Sequence, residues 1–156
     1  MHLRSLFVTG PTLTPLISLL FATGAPSSSA GSFLYPQPDT TKPLRPLMVG
    51  LAQDVDRIAT GLWHEDYDLI RQGAHNIAQH PKIFPTQIAT IKKALGKQFQ
   101  NFVRYDKSVH RAATELVEAA EARDWSRILD LHERLKRGCV TCHTVYRDTV
   151  RAVLHP

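Results

Sequence analysis

From Pro43 onward the apolar residues of this chain recur every three or four positions, and no stretch alternates apolar with polar in the manner of a strand. A spacing near 3.6 lines side chains along one face of a helix, whereas a half-buried strand needs a period of two. The pattern therefore predicts an all-α fold. Leu44, Leu47, Met48, Leu51, Val55, Ile58 and Leu62 mark the first stripe. Pro43 and Pro46 fit only its first turn, where a missing N–H has no partner to lose. Gly61 and the polar cluster after Trp63 end it.

A second helix is expected from residue 65 or 66 to 79, with an acidic start that suits the positive end of the helix dipole. Leu69, Ile70, Ala74, Ile77 and Ala78 form its apolar side, and His80 and Pro81 stop it. Residues 81–85 connect to a candidate N-cap at Thr86. Ile88, Ile91, Leu95, Phe99, Phe102 and Val103 begin a third stripe, which Val109, Ala113, Leu116, Val117 and Ala120 continue. A single helix to about residue 122, with room for a bend near Gly96, is the simplest reading. Asp124 is the expected N-cap of a fourth helix, whose core face carries Ile128, Leu129, Leu135, Cys139, Cys142, Val150 and Val153. Four amphipathic helices with short connections predict an antiparallel four-helix bundle over residues 43–156.

Residues 1–30 follow another logic. Arg4 opens a segment whose residues 6–22 carry no charge, and Ser28 and Ala30 suit a small-x-small cleavage site before Gly31. This predicts a signal peptide over residues 1–30 and an exported mature chain. Pro11, Pro15 and the shortness of the apolar run argue against a membrane span. Residues 31–42, rich in Ser, Pro, Thr and Gly, read as a flexible leader. A composition of 43% hydrophobic and 21% charged residues excludes collagen, a disordered chain and a polytopic membrane protein. The net charge of +5 suits an anionic partner without naming one.

The only two cysteines stand together in Cys139-Val140-Thr141-Cys142-His143. On a helix, positions i, i+3 and i+4 share a face, so two sulfurs and one imidazole are presented to one volume. That set suits a porphyrin, whose two vinyl groups each take a thiol while the imidazole reaches the iron. The spacing is the c-type haem attachment pattern. A zinc site would need a fourth ligand. A redox dithiol prefers the start of a helix beside a sheet, where the dipole lowers a thiol pKa. Neither suits a pair late in an all-helical chain.

With the motif on its last helix, the chain resembles the cytochrome c′ family over residues 43–153. Tyr146-Arg147, Leu95-Gly96-Lys97, Phe102, and the turn from Ala119-Ala120-Glu121 to Asp124-Trp125 also carry the resemblance. It implies a four-helix-bundle periplasmic protein with one covalent haem c held by Cys139 and Cys142, with His143 as an axial ligand. In the low-spin branch of that family the sixth ligand is a Met near the start of the first helix, the place of Met48. Met48 is the sole methionine once Met1 leaves with the signal. The alternative is that Met48 only fills core space, as most bundle methionines do. The resemblance also allows a homodimer through the first two helices.

Arg134, Lys136, Arg137, Arg147 and Arg151 surround the motif, opposed in that stretch by Asp148. A solvated helix face explains them. So does neutralisation of haem propionates by Arg45 or Arg147 together with steering of an acidic redox partner. No aromatic-basic motif points to nucleic acid. His64, His75, His80 and His155 are expected to be solvated, and His110 is expected to pair with Asp106. The expected function is electron transfer through a haem with His143 and Met48 as axial ligands. The alternative is a five-coordinate haem that binds nitric oxide or carbon monoxide. An enzyme such as a peroxidase ranks last, because the expected distal wall of Leu and Met offers no acid or base.

Overall fold

The structure, a computed structural model, describes residues 41–155. The expected signal peptide over residues 1–30 and the leader before Thr41 lie outside the described residues. Five α-helices account for most of the rest: α1 (Leu44–Trp63), α2 (Tyr67–Ala78), α3 (Pro85–Leu95), α4 (Phe99–Glu121) and α5 (Trp125–Leu154). The fold is all-α.

Two turns share one construction. Glu65 and Arg123 each adopt a left-handed backbone, at φ of 54° and 53°. The amide after each then reaches back five residues: Asp66 N–H donates to the Gly61 carbonyl at 2.9 Å and Asp124 N–H to the Ala119 carbonyl at 3.0 Å. This closes the preceding helix with the C-terminal hydrogen bond of a Schellman motif. The same aspartates then start the next helix. Asp66 accepts from Leu69 N–H and Asp124 from Arg127 N–H, both at 3.0 Å. Each carboxylate thus satisfies an orphan donor of a first turn.

The third sequence stripe is two helices rather than one. Gly96 takes φ 51° and ψ −122°, a combination open to glycine, and ends α3. One 3₁₀ turn, Gly96–Gln98, restarts the chain as α4. The apolar period runs through the break undisturbed, which is why periodicity alone joined the two. Thr86 is not the N-cap of α3: that place falls to Phe84, and Pro85 holds the first helical position. A proline there forfeits no hydrogen bond.

A short parallel pairing corrects the strand-free expectation. β1 (Thr41–Lys42) pairs with β2 (Lys82–Ile83), Thr41 opposite Lys82 and Lys42 opposite Ile83. Phe84 N–H extends the contact by donating to the Lys42 carbonyl at 3.1 Å. The end of the expected leader is therefore tied to the segment between α2 and α3. Beside it, the first free amide of α1, at Leu44, donates to Gln87 Oε1 at 2.8 Å.

α1 packs on α2, α2 on α4, α4 on α5, and α3 on α5, while α1 and α5 scarcely touch. The first contact is close. A Cβ on Gly73 would lie 2.7 Å from the Asp54 carbonyl oxygen and 2.8 Å from Ile58 Cγ1. The larger core cluster joins Ile58, Ile70, Ile77, Leu116, Ile128, Leu131 and Leu135 with alanines of α2 and α4. A second gathers Leu44, Ile91, Tyr146 and Val150. Leu129, expected on the core face of the last helix, is 56% exposed. Leu131 and His132 are buried instead. Ile128, Leu131, His132 and Leu135 share the inner face at spacings of three, four and seven, and Leu129, one residue beyond Ile128, is turned about 100° away from it.

Candidate functional site

The helix α5 carries Cys139, Cys142 and His143 without a break. Thr141 Oγ1 donates back to the Arg137 carbonyl at 2.7 Å, and Thr144 Oγ1 to the Val140 carbonyl at 2.8 Å. These hydroxyls are satisfied by their own helix and compete for nothing at the motif.

Both cysteines are half-buried free thiols. Cys139 packs against the larger core cluster and Cys142 against the smaller one, so the pair straddles the seam between them. Burial raises the Cys139 pKa. It also pushes the Cys142 thiol up to about 11, helped by the Asp106 carboxylate and by Cys139. The two sulfurs are near enough for charge on one to oppose charge on the other. Both are neutral thiols at neutral pH, since removal from water disfavours the thiolate.

A cleft of about 540 Å³ opens along this part of α5. Leu44, Arg45 and Met48 line it from α1, and Phe102 from α4. Cys142, His143, Tyr146, Arg147, Val150, Arg151 and Leu154 line it from α5, and His155 follows at the end of that helix. A volume of ~300–1,000 Å³ with a mainly apolar lining and a few polar groups is what small ligands and cofactors occupy. Tyr146, buried, anchors the aromatic part of the wall. Its ring meets Phe102 edge-on at 5.7 Å and 85°, and Tyr105 at 6.0 Å and 61°.

Of the residues singled out from sequence, Met48, Cys142, His143, Arg45 and Arg147 line this one cleft. Cys139 does not line it and sits a helical turn further back, against the larger core cluster. Met48 is half-buried and His143 is exposed. Among the described residues, Arg45 and Arg151 make no ion pair, while Arg147 Nε lies 3.7 Å from Asp148 Oδ1. The rest of the basic edge is less naked than its sequence suggests. Arg134 meets Glu115 of α4 at 2.9 Å, and Arg137 pairs with Glu133. A window restricted to residues 134–151 leaves out both partners.

His80 departs from its expected exposure, and His132 is the one buried histidine among the described residues. His80 is half-buried rather than solvated, and its ring lies against that of His110 with centroids 4.5 Å apart. His132 is 8% exposed, and its Nε2 has no hydrogen-bond partner among the described residues. Burial, with the nearby Lys136 charge adding to it, lowers the His132 pKa. Nothing in the local sequence marks His132 as buried except its neighbours Leu131 and Leu135. His110 meets its expected partner, with Nε2 3.8 Å from Asp106 Oδ1.

Comparison with protein-family models, with curated proteins and with solved structures finds no match.

Proposed function

We propose that this chain is a monohaem c-type electron carrier in which α1, α2, α4 and α5 form an antiparallel four-helix bundle, with the cleft lined by α1, α4 and α5. The observation that carries the reading is the convergence of Met48, Cys142 and His143 on one largely apolar cleft between two helices that scarcely touch. The donor set fits a haem: two neutral thiols a helical turn apart, an imidazole beside the second, and a thioether from another helix. Cys139 and Cys142 would hold the group through thioether bonds, and His143 and Met48 would ligate its iron. When bound, it would supply a one-electron ferrous–ferric couple.

The protein's own part is to position and insulate. Leu44, Phe102, Tyr146, Val150 and Leu154 keep water from the cleft, and a low local dielectric strengthens each charge interaction inside it. Arg45 and Arg151, free of carboxylate partners among the described residues, are placed to meet anionic substituents such as propionates. Arg147 shares its charge with Asp148 and is the weaker candidate. Unpaired cations near the cleft would also speed encounter with an acidic redox partner. No helix among the described residues is long and apolar enough to cross a membrane. In this reading the signal peptide delivers the chain to the periplasm.

The test is covalent attachment. Expressed with its N-terminal segment in a Gram-negative host that attaches c-type haem, the protein should retain haem through acid-acetone extraction and denaturing electrophoresis. Cys139→Ala combined with Cys142→Ala should abolish that retention. Haem that extracts freely from the wild type, or a chain that acquires none, overturns the reading.

A further inference from the structure

Away from the cleft, three ligating side chains meet where the segment after α2 crosses α4. His80 comes from that segment, and Asp106 and His110 lie one turn apart on α4. Each offers one ligand atom, and the three atoms lie within 4.8 Å of one another. We propose that His80, Asp106 and His110 form a binding site for a divalent transition-metal ion of the zinc class.

The strongest support is the way both imidazoles are held. His80 Nδ1 lies 2.8 Å from the Pro81 carbonyl oxygen, and His110 Nδ1 lies 3.0 Å from the Ala78 carbonyl oxygen. A carbonyl oxygen only accepts, so each Nδ1 must carry the proton and donate it. That fixes the same tautomer in both rings and leaves each Nε2 with a free lone pair. Metal-binding histidines are oriented in this way, the far ring nitrogen donating to a carbonyl or carboxylate. The two rings lie side by side, with centroids 4.5 Å apart and planes tilted by 42°. Asp106 supplies the negative charge, its Oδ1 3.8 Å from His110 Nε2.

Bonds of ~2.0–2.1 Å in tetrahedral geometry require ligand atoms roughly 3.3 Å apart, so small side-chain rotations would close the triad. Two histidines and one carboxylate leave a fourth position to water, and the exposed Asp106 side gives water its access. The ion would clamp the segment between α2 and α3 onto α4. This inference is independent of the haem reading, because none of its residues lines the cleft.

The test is calorimetric titration of the full chain, as expressed and freed of metal by a chelator, with Zn²⁺ alone. We expect one equivalent bound and a higher unfolding temperature with zinc than without. His80→Gln, Asp106→Asn and His110→Gln should each weaken binding at least ~10-fold and remove the thermal shift. Asp106→Asn alters an exposed side chain and keeps the fold, so its result stands even if a histidine variant unfolds. Zinc binding that is absent, that survives in the Asp106→Asn and His80→Gln variants, or that vanishes only when Cys139 and Cys142 are both changed to Ala overturns the proposal.

Discussion

Met48 and His143 line one cleft, the first from the second turn of α1 and the second from the middle of α5. The helices that carry them lie far apart in sequence and scarcely touch. The contacts that hold them at this distance run through α2 and α4, since α1 packs on α2, α2 on α4 and α4 on α5. The cleft is thus a product of the helix order, and its chemistry is set by what each wall contributes.

If the thioether of Met48 is a ligand, Met48→Ala should convert a low-spin ferric spectrum with a sulfur charge-transfer band into a high-spin or water-ligated one. Carbon monoxide should then bind the reduced variant quickly where it bound the wild type slowly, and the reduction potential should fall. The stability cost should stay below the ~2–5 kcal/mol of a fully buried methionine, because Met48 is only half-buried. Absorption spectra in both redox states, with and without carbon monoxide, check all but the last point. A wild type that is already high-spin and binds the gas fast would make Met48 a core residue and favour the gas-binding function.

The α1–α2 contact yields a second expectation. Gly73→Ala would place a methyl group 2.7 Å from a backbone carbonyl oxygen that cannot move without distorting α1. The overpacking should cost about 1–3 kcal/mol, more than the helix propensity that alanine brings. Gly50→Ala on α1 is the matched control, with nothing among the described residues within 4 Å of the added Cβ, and should stabilise by up to ~1 kcal/mol. Urea unfolding of the two variants separates the effects. Equal midpoints would mean that the helices part easily at Gly73.

What could be read from the chain follows from what each signal encodes. Periodicity located the helices because burial of one face is a local pattern, and Asp66 and Asp124 marked two starts because capping is a local bond. The break at Gly96 escaped because the apolar spacing continues across it and only the backbone turns left-handed. The pairing of Thr41–Lys42 with Lys82–Ile83 escaped because two-residue strands leave no alternation to detect. That Cys142 and His143 share one face of α5 was legible from spacing alone. That Arg134 is neutralised by Glu115 of α4, that Arg45 and Arg151 make no ion pair among the described residues, and that His80 meets His110 depend on contacts between elements. No spacing rule carries that information.

His132 should make stability depend on pH in a predictable direction. Its folded-state pKa is lowered from the ordinary 6.5, first by burial and then by the Lys136 charge. The unfolded chain therefore binds a proton that the native state refuses, so stability is fully present above the unfolded value and is lost as pH falls through about 6.5 toward the folded value. The slope from one such group is at most ~1.4 kcal/mol per pH unit. His132→Leu removes both the titration and the Nε2 atom that has no hydrogen-bond partner among the described residues. An uncompensated buried polar atom costs ~1–3 kcal/mol, so the variant should match or exceed the wild type at neutral pH. Its advantage should widen in acid. Urea midpoints at about pH 8 and about pH 5.5 measure this, and a wild type and variant that lose stability in parallel would show that His132 takes up its proton alike in the folded and unfolded chains.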